Sequence, residues 1–173
     1  LAMSSDRINR MLVDSVHLEF GKLTVLQSAF VTSERGKVTG VLGRNGTGKS
    51  CLFKCIMGGI KPQNIFVRFN DEQSTDYGHI GDRVKYLPQN LFMPPRMTLD
   101  EAFRLYDVEY DGLVSFDPKF HTFQKKQFRE LSGGEARVAE MFIIIKSPSD
   151  FCILDEPFSK IAPFHVEKMQ SLI

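Results

Sequence analysis

The stretch Gly43-Arg44-Asn45-Gly46-Thr47-Gly48-Lys49-Ser50 constrains this chain more than any other. Three glycines close together leave the backbone free to curl, and a lysine and a hydroxyl follow them directly. Before the loop, Val38-Thr39-Gly40-Val41-Leu42 is a short apolar, β-branched run that suits a strand buried on both faces. After it, Leu52, Phe53, Ile56 and Met57 recur at helical spacing until Gly58-Gly59 and Pro62. Strand, glycine loop and helix in that order make a phosphate cradle: backbone amides wrap the anion and the helix presents its positive end. In such a cradle Lys49 reaches the outer phosphates and the Ser50 hydroxyl holds Mg²⁺. The plainer alternative is a glycine-rich turn with a lysine beside it by chance.

Two further segments carry chemistry. Phe151-Cys152-Ile153-Leu154-Asp155-Glu156 reads as a buried strand ending in two carboxylates. Beside a phosphate loop, Asp155 can hold Mg²⁺, and Glu156, next along the pleat, can orient or deprotonate a water. Alone, such a pair would be a solvent-facing strand end. Leu131-Ser132-Gly133-Gly134-Glu135 opens a helix. Ser132 and Glu135 have the spacing of a capping box, and a cap by itself does not need two glycines. Ser132 with the amides of Gly133 and Gly134 would also attract an anion, and the two roles are compatible.

The rest of the chain supplies the scaffold. Val16, Leu18 and Phe20 alternate with Ser15, His17 and Glu19, as in a half-buried strand. Phe66-Val67-Arg68-Phe69 and Val84-Lys85-Tyr86-Leu87 are two more strand candidates. Thr98-Leu99-Asp100-Glu101 starts a helix with Ala102, Phe103 and Tyr106 on one face, and Phe- and Lys-rich segments continue to Arg129. Val138, Met141, Phe142 and Ile145 make an apolar stripe on the helix that Ser132 opens, and Pro148 ends it. The pattern is α/β with a helical insertion. The chain has 173 residues, 42% of them apolar, and a formal charge of +1 from 22 basic and 21 acidic side chains. That composition excludes a disordered polymer and a global basic field for nucleic acid. No apolar run approaches the roughly 20 residues of a membrane-spanning helix.

The three motifs, in this order, resemble the nucleotide-binding subunit of ATP-binding cassette (ABC) transporters. Gly43 to Ser50 is similar to the family's Walker A motif, Leu131 to Glu135 to its signature, and Phe151 to Glu156 to its Walker B motif. Gln89, in Tyr86-Leu87-Pro88-Gln89, stands where the family has its Q-loop glutamine, and Phe20 where it has the aromatic that stacks on adenine. The run from Asp155 to Pro163 most resembles the lipopolysaccharide-export and branched-chain amino-acid branches.

The resemblance implies an α/β P-loop NTPase (ABC ATPase) core with an N-terminal antiparallel β region and an inserted helical lobe. Residues 1–90 and 131–173 would form the core and 91–130 the lobe. It implies ATP and Mg²⁺ as cofactors. Gly43, Arg44, Asn45, Gly46, Thr47, Gly48, Lys49, Ser50, Cys51 and Phe20 would bind the nucleotide, joined by Ser132, Gly133 and Gly134 from the opposite subunit. Ser50, Gln89 and Asp155 would serve the metal, and Glu156, Lys49 and Gln89 the hydrolysis. The implied partners are a second copy, packed head to tail on ATP binding, and transmembrane transporter subunits, with no direct contact to nucleic acid. The implied location is cytoplasmic, on the inner face of the cell membrane. Two other functions remain open: a soluble ABC ATPase of translation or DNA maintenance, and a cassette that binds ATP but turns it over weakly.

The sequence departs from the family at two places. Ala162 occupies the usual aspartate position of the D-loop. The family's switch histidine would fall beyond Ile173, and His165 is expected to be a surface or cap residue. Cys51 and Cys55, four apart on the helix after the phosphate loop, read as buried structural thiols in preference to a metal pair. His17 should face outward on its strand, and His79 and His121 should lie in loops. Lys125, Lys126 and Arg129 should form a solvated basic face.

Overall fold

The computed structural model describes residues 7–159, 161 and 163–173, apart from the side chains of Phe164, His165 and Lys168. Ala162 and the side chain of His165 therefore lie outside the described residues. The chain divides into two units, Leu1–Val84 and Lys85–Ile173.

The first unit is built on an antiparallel sheet. β1 (Arg10–Phe20) and β2 (Leu23–Glu34) form a hairpin across Gly21-Lys22, where Gly21 adopts φ 62°. That left-handed conformation is what a two-residue hairpin loop asks of its glycine. β1 also pairs with β3 (Asn64–Phe69), and β3 with β4 (Glu72–Ser74), giving the order β2-β1-β3-β4. Besides a shift between Leu18 and Glu19, the β1–β2 register slips between Val13 and Val16 and again between Val16 and Leu18. Ser15 and Ser28, at φ 55° and 51°, fall in those two intervals. They are bulges, one on each strand, and such bulges increase the local twist. Met11, Val13, Val16, Leu18, Val67 and Phe69 are buried. α1 (Lys49–Ile56) packs on β2 and β3 and contributes Leu52, Cys55 and Ile56 to that core. α2 (Tyr77–Arg83) packs on β4, capped by the Asp76 carboxylate on the Gly78 amide.

The expected strand at Val38–Leu42 does not form. Val38 is 77% and Leu42 95% exposed, and no described strand pairs with the segment. The chain leaves β2 by a turn at Gly36, where Arg35 N–H donates to Asn9 O, Lys37 N–H to Glu34 O, Lys37 Nζ to the Glu34 carboxylate, and the Thr39 hydroxyl to Thr32 O. An apolar run becomes a strand only where a neighbouring strand satisfies its amides and carbonyls. The antiparallel sheet supplies none here.

In the second unit β5 (Val84–Leu87) pairs with β6 (Phe151–Leu154). Phe151 and Ile153 are buried while Cys152 is exposed, so β6 is buried on one face where both were expected. Between these strands come α3 (Leu99–Leu105), α4 (Tyr110–Phe116), 3-10 turns at Pro118–Thr122 and Phe128–Glu130, and α5 (Gly133–Lys146). α6 (Pro163–Gln170) follows β6. α3 starts as its sequence predicts: Thr98 Oγ1 accepts from Glu101 N–H while the Glu101 carboxylate accepts from Thr98 N–H. Phe103 lies edge-on to Tyr110 and stacks on Phe142 of α5.

α5 differs from the one-sided stripe that its sequence predicts. Every residue from Ala136 to Ile144 is buried, Arg137 and Glu140 included, so the expected stripe is an all-round core helix. His79 and His121 also depart from expectation. His79 sits within α2, where its ring contacts the Ser74 hydroxyl and accepts from Arg83, and His121 belongs to the 3-10 turn. Lys125, exposed and paired with Asp100, agrees with a solvated basic face.

Thr98→Ala should lower the unfolding free energy by about 1 kcal/mol, the usual worth of an N-cap hydroxyl, as read from urea denaturation.

Candidate functional site

The phosphate loop lies wholly in the first unit. It closes on itself through its own side chains: Lys49 Nζ donates to Gly43 O at 2.7 Å and to Arg44 O at 3.0 Å. Thr47 Oγ1 donates to the same Arg44 carbonyl at 2.9 Å. Gly46 and Gly48 take φ 83° and 89°, which other residues adopt only with strain. A Cβ on Gly43 would lie 2.7 Å from Thr47 Oγ1, so the curl leaves no room for a side chain. Gly48 is also the N-cap of α1 and offers no side-chain cap, leaving the first helical amides without an intrahelical or capping acceptor. Loop, lysine and uncapped helix together make an anion cradle. Ser50 and Cys51 are half-buried in the first turn of α1. Burial pushes the Cys55 thiol up to about 11, with Cys51 adding to the shift, so it stays protonated and inert. Among the described residues no three of His, Cys, Asp and Glu converge as a metal site.

Phe20 ends β1 and is 52% exposed, so its side chain is not taken up by the core. His17, half-buried on β1, contacts Glu19 at 3.1 Å.

The carboxylates, Gln89 and the signature belong to the second unit. β6 delivers Asp155 to a nearly closed position, 3% exposed, where its amide donates to Leu87 O of β5. The Tyr86 hydroxyl donates to Asp155 Oδ2 at 3.2 Å. Glu156 is exposed and stands at φ 46°, immediately before Pro157. Gln89 Nε2 donates to Glu156 Oε2 at 2.7 Å, joining two side chains from distant segments. The tertiary structure thus pairs Gln89 with Glu156 and Tyr86 with Asp155. Two participants escaped the sequence reading. Tyr86 looked like an ordinary strand residue, and its only signal was its place three residues before Gln89. Arg137 is 1% exposed and donates to the carbonyls of Pro88, Asp155, Glu156 and Pro157. A cation inside an apolar helix was the signal that could have found it.

At the start of α5, Ser132 Oγ accepts from Glu135 N–H and the Glu135 carboxylate accepts from Ser132 N–H at 2.9 Å. The capping box forms, and as the first amides of the helix those of Gly133 and Gly134 have no intrahelical acceptor. The Ser132 amide bond, helped by Lys119 and Lys126, holds the Glu135 carboxyl below its ordinary value. A carboxyl depressed in the folded state contributes stability above its unfolded pKa and loses it as pH falls through the folded one. The advantage in Tm of the protein over Glu135→Gln should accordingly be present near neutrality and shrink as pH falls below about 4, by thermal scans.

The ABC transporter family model matches residues 26–159. An ABC transporter ATP-binding protein of Cyanophora paradoxa is 27% identical over 91% of this chain and 69% of its own length. The high-affinity branched-chain amino acid transport ATP-binding protein BraG of Pseudomonas aeruginosa is 22% identical over 92% of this chain and 74% of its own. Among solved structures, an ABC transporter ATP-binding protein of Pyrococcus furiosus superposes with a TM-score of 0.75 at 21% identity, covering 94% of this chain and 83% of that one. Its fold is therefore shared. With the family model spanning most of its length, the chain belongs to the ABC transporter family of ATP-binding proteins.

Proposed function

We propose that this chain is the ATP-hydrolysing subunit of an ABC transporter. The observation that carries the reading is the 2.7 Å hydrogen bond between Gln89 and Glu156. It uses one carboxylate oxygen and one amide donor. The second Glu156 oxygen is left to take a proton from water, and Gln89 Oε1 to orient that water. A general base with its own positioning group is the minimum that ATP hydrolysis asks of the protein beyond electrostatics.

The other residues take roles that their surroundings support. The amides from Gly46 to Ser50 would wrap the phosphates, and Lys49 would exchange two carbonyl acceptors for β- and γ-phosphate oxygens. Arg44, Asn45, Thr47 and Cys51 complete that loop, and Gly43 keeps its curl tight. Phe20 offers an exposed ring for adenine. The Ser50 hydroxyl, the Asp155 carboxylate and the Gln89 carboxamide are hard oxygen donors of the kind Mg²⁺ prefers. Their small number fits an ion that takes its remaining ligands from phosphate and water. When bound, Mg²⁺ would neutralise charge on the transferring phosphoryl group. Tyr86 would keep one Asp155 oxygen engaged and fix the direction of the other.

Ser132, Gly133 and Gly134 would meet the nucleotide of a second copy, so that two chains close head to tail on ATP and reopen after hydrolysis. The core would comprise residues 1–90 and 131–173. The lobe at 91–130, with α3 and α4, would face transmembrane subunits, which would select the cargo. No described helix is long and apolar enough to cross a membrane. A place on the cytoplasmic side, held there by partner subunits, follows from that role.

In the complete protein with its partner subunits, Glu156→Gln should lower kcat by about 10²–10⁴-fold in steady-state Mg-ATP hydrolysis, while leaving ATP affinity nearly unchanged. Equal rates for the two proteins would remove Glu156 as the base. Lys49→Ala should instead weaken ATP binding, measured by fluorescence titration with a nucleotide analogue.

A further inference from the structure

α5 carries two charged side chains into the core of the second unit: Arg137 is 1% and Glu140 0% exposed. Their hydrogen bonds all reach outward from α5 to the backbone around the paired Gln89 and Glu156. Arg137 Nη1 donates to Pro88 O at 2.6 Å, one residue before Gln89. Its Nη2 donates to Asp155 O at 3.2 Å and Glu156 O at 3.3 Å, and its Nε to Pro157 O at 3.2 Å. One turn along, Glu140 Oε1 accepts from Phe92 N–H at 2.8 Å and Met93 N–H at 2.9 Å. The loop bearing Gln89 is thus gripped at both ends by one helix. Glu140 Oε2 has no hydrogen-bond partner and lies 3.9 Å from Arg137 Nη1, so the two charges offset each other across a turn of α5.

Stability alone is a poor explanation for this arrangement. A buried ion pair gains little over well-packed apolar side chains of the same volume, since both ions must leave water. Geometry explains it better. Glu156 sits at φ 46° in front of a proline, a conformation disfavoured both by its own Cβ and by the proline ring. Released, the segment would relax toward extended backbone and turn the carboxylate away. The carbonyls on both sides of the strained residue, and its own, all accept from the same planar guanidinium. That guanidinium also holds Pro88, so a single rigid group sets the distance between the Gln89 and Glu156 backbones.

We propose that Arg137, backed by Glu140, is a positioning residue that holds Gln89 and Glu156 together and ties their geometry to the helix that begins at the signature motif. The proposal deepens the hydrolysis reading and rests on it. A lysine cannot replace the arginine, because an ammonium has no planar fork of five donors with which to bridge four carbonyls.

The test uses the complete protein with its partner subunits, comparing Arg137→Lys and Arg137→Gln with Val138→Ala. The last variant opens a cavity at the next residue of α5 without touching the carbonyls. The readouts are Tm, ATP affinity, kcat and the Gln89 side-chain amide signal in ¹⁵N NMR of the isolated chain. The Arg137 variants should keep ATP affinity and lose roughly 10–100-fold in kcat, the scale of a small misplacement of reacting groups. Their Gln89 amide should move toward its position in Glu156→Gln, where the carboxylate acceptor is gone. Val138→Ala should lower Tm and leave kcat and the Gln89 signal near those of the parent. The proposal is overturned if the Arg137 variants keep the parent kcat and Gln89 signal, if Val138→Ala loses as much kcat, or if neither Arg137 variant folds. Failure of the hydrolysis reading is recognised separately, by equal turnover of the parent and Glu156→Gln, while the Gln89 signal still reports on Arg137.

Discussion

A guanidinium withdrawn from water must find its acceptors within the protein, and in the second unit that demand organises everything near the carboxylates. Arg137 answers it with backbone carbonyls from two separate segments, Pro88 after β5 and Asp155 to Pro157 after β6. β5 and β6 are short, and a two-stranded sheet is weak by itself. The helix behind them supplies the missing definition: its apolar residues exclude water, and the exclusion strengthens each of these hydrogen bonds. Burial lowers the Arg137 pKa and raises that of Glu140, while each side chain favours the charged form of the other. The pair therefore exists at a cost in desolvation, and what the cost secures is geometry.

The phosphate loop follows a different principle. Its shape comes from within: Lys49 and Thr47 bond to carbonyls a few residues back, and left-handed glycines set the curl. Side chains of the sheet matter only at its edge, where a Cβ on Gly48 would come within 3.0 Å of Leu26 and Val25. Such a loop depends little on distant packing. The pairing of Gln89 with Glu156 depends on nothing else.

This difference explains what could be read in advance. The helix start at Thr98, the capping box at Ser132, the start of α1, the strand alternation of β1 and the glycine loop are local, and local spacing announced them. So did the order of motifs that resembles the ABC family, which the family match at residues 26–159 places beyond resemblance. The larger departures are tertiary. Val38–Leu42 has the composition of a buried strand, and no described strand pairs with it. β6 looks buried on both faces and is covered on one. α5 has the spacing of an amphipathic helix because Arg137 and Glu140 interrupt its apolar residues, yet both are inside. His79 lies in a short helix that its glycine neighbours disguised.

The sequence by itself therefore determined the chemistry available to this protein: a loop able to bind phosphate, two adjacent carboxylates, a glutamine and a capped helix of signature type. Those are properties of neighbouring residues, governed by backbone freedom and side-chain identity. Only the tertiary structure decided which of these groups meet. Gln89 and Glu156 stand 67 residues apart, and Arg137 and Pro88 49 apart. Contacts across such distances arise when apolar burial brings segments together and the polar groups trapped inside must then be satisfied. The reason Arg137 is where it is lies in four carbonyls that no short stretch of sequence contains.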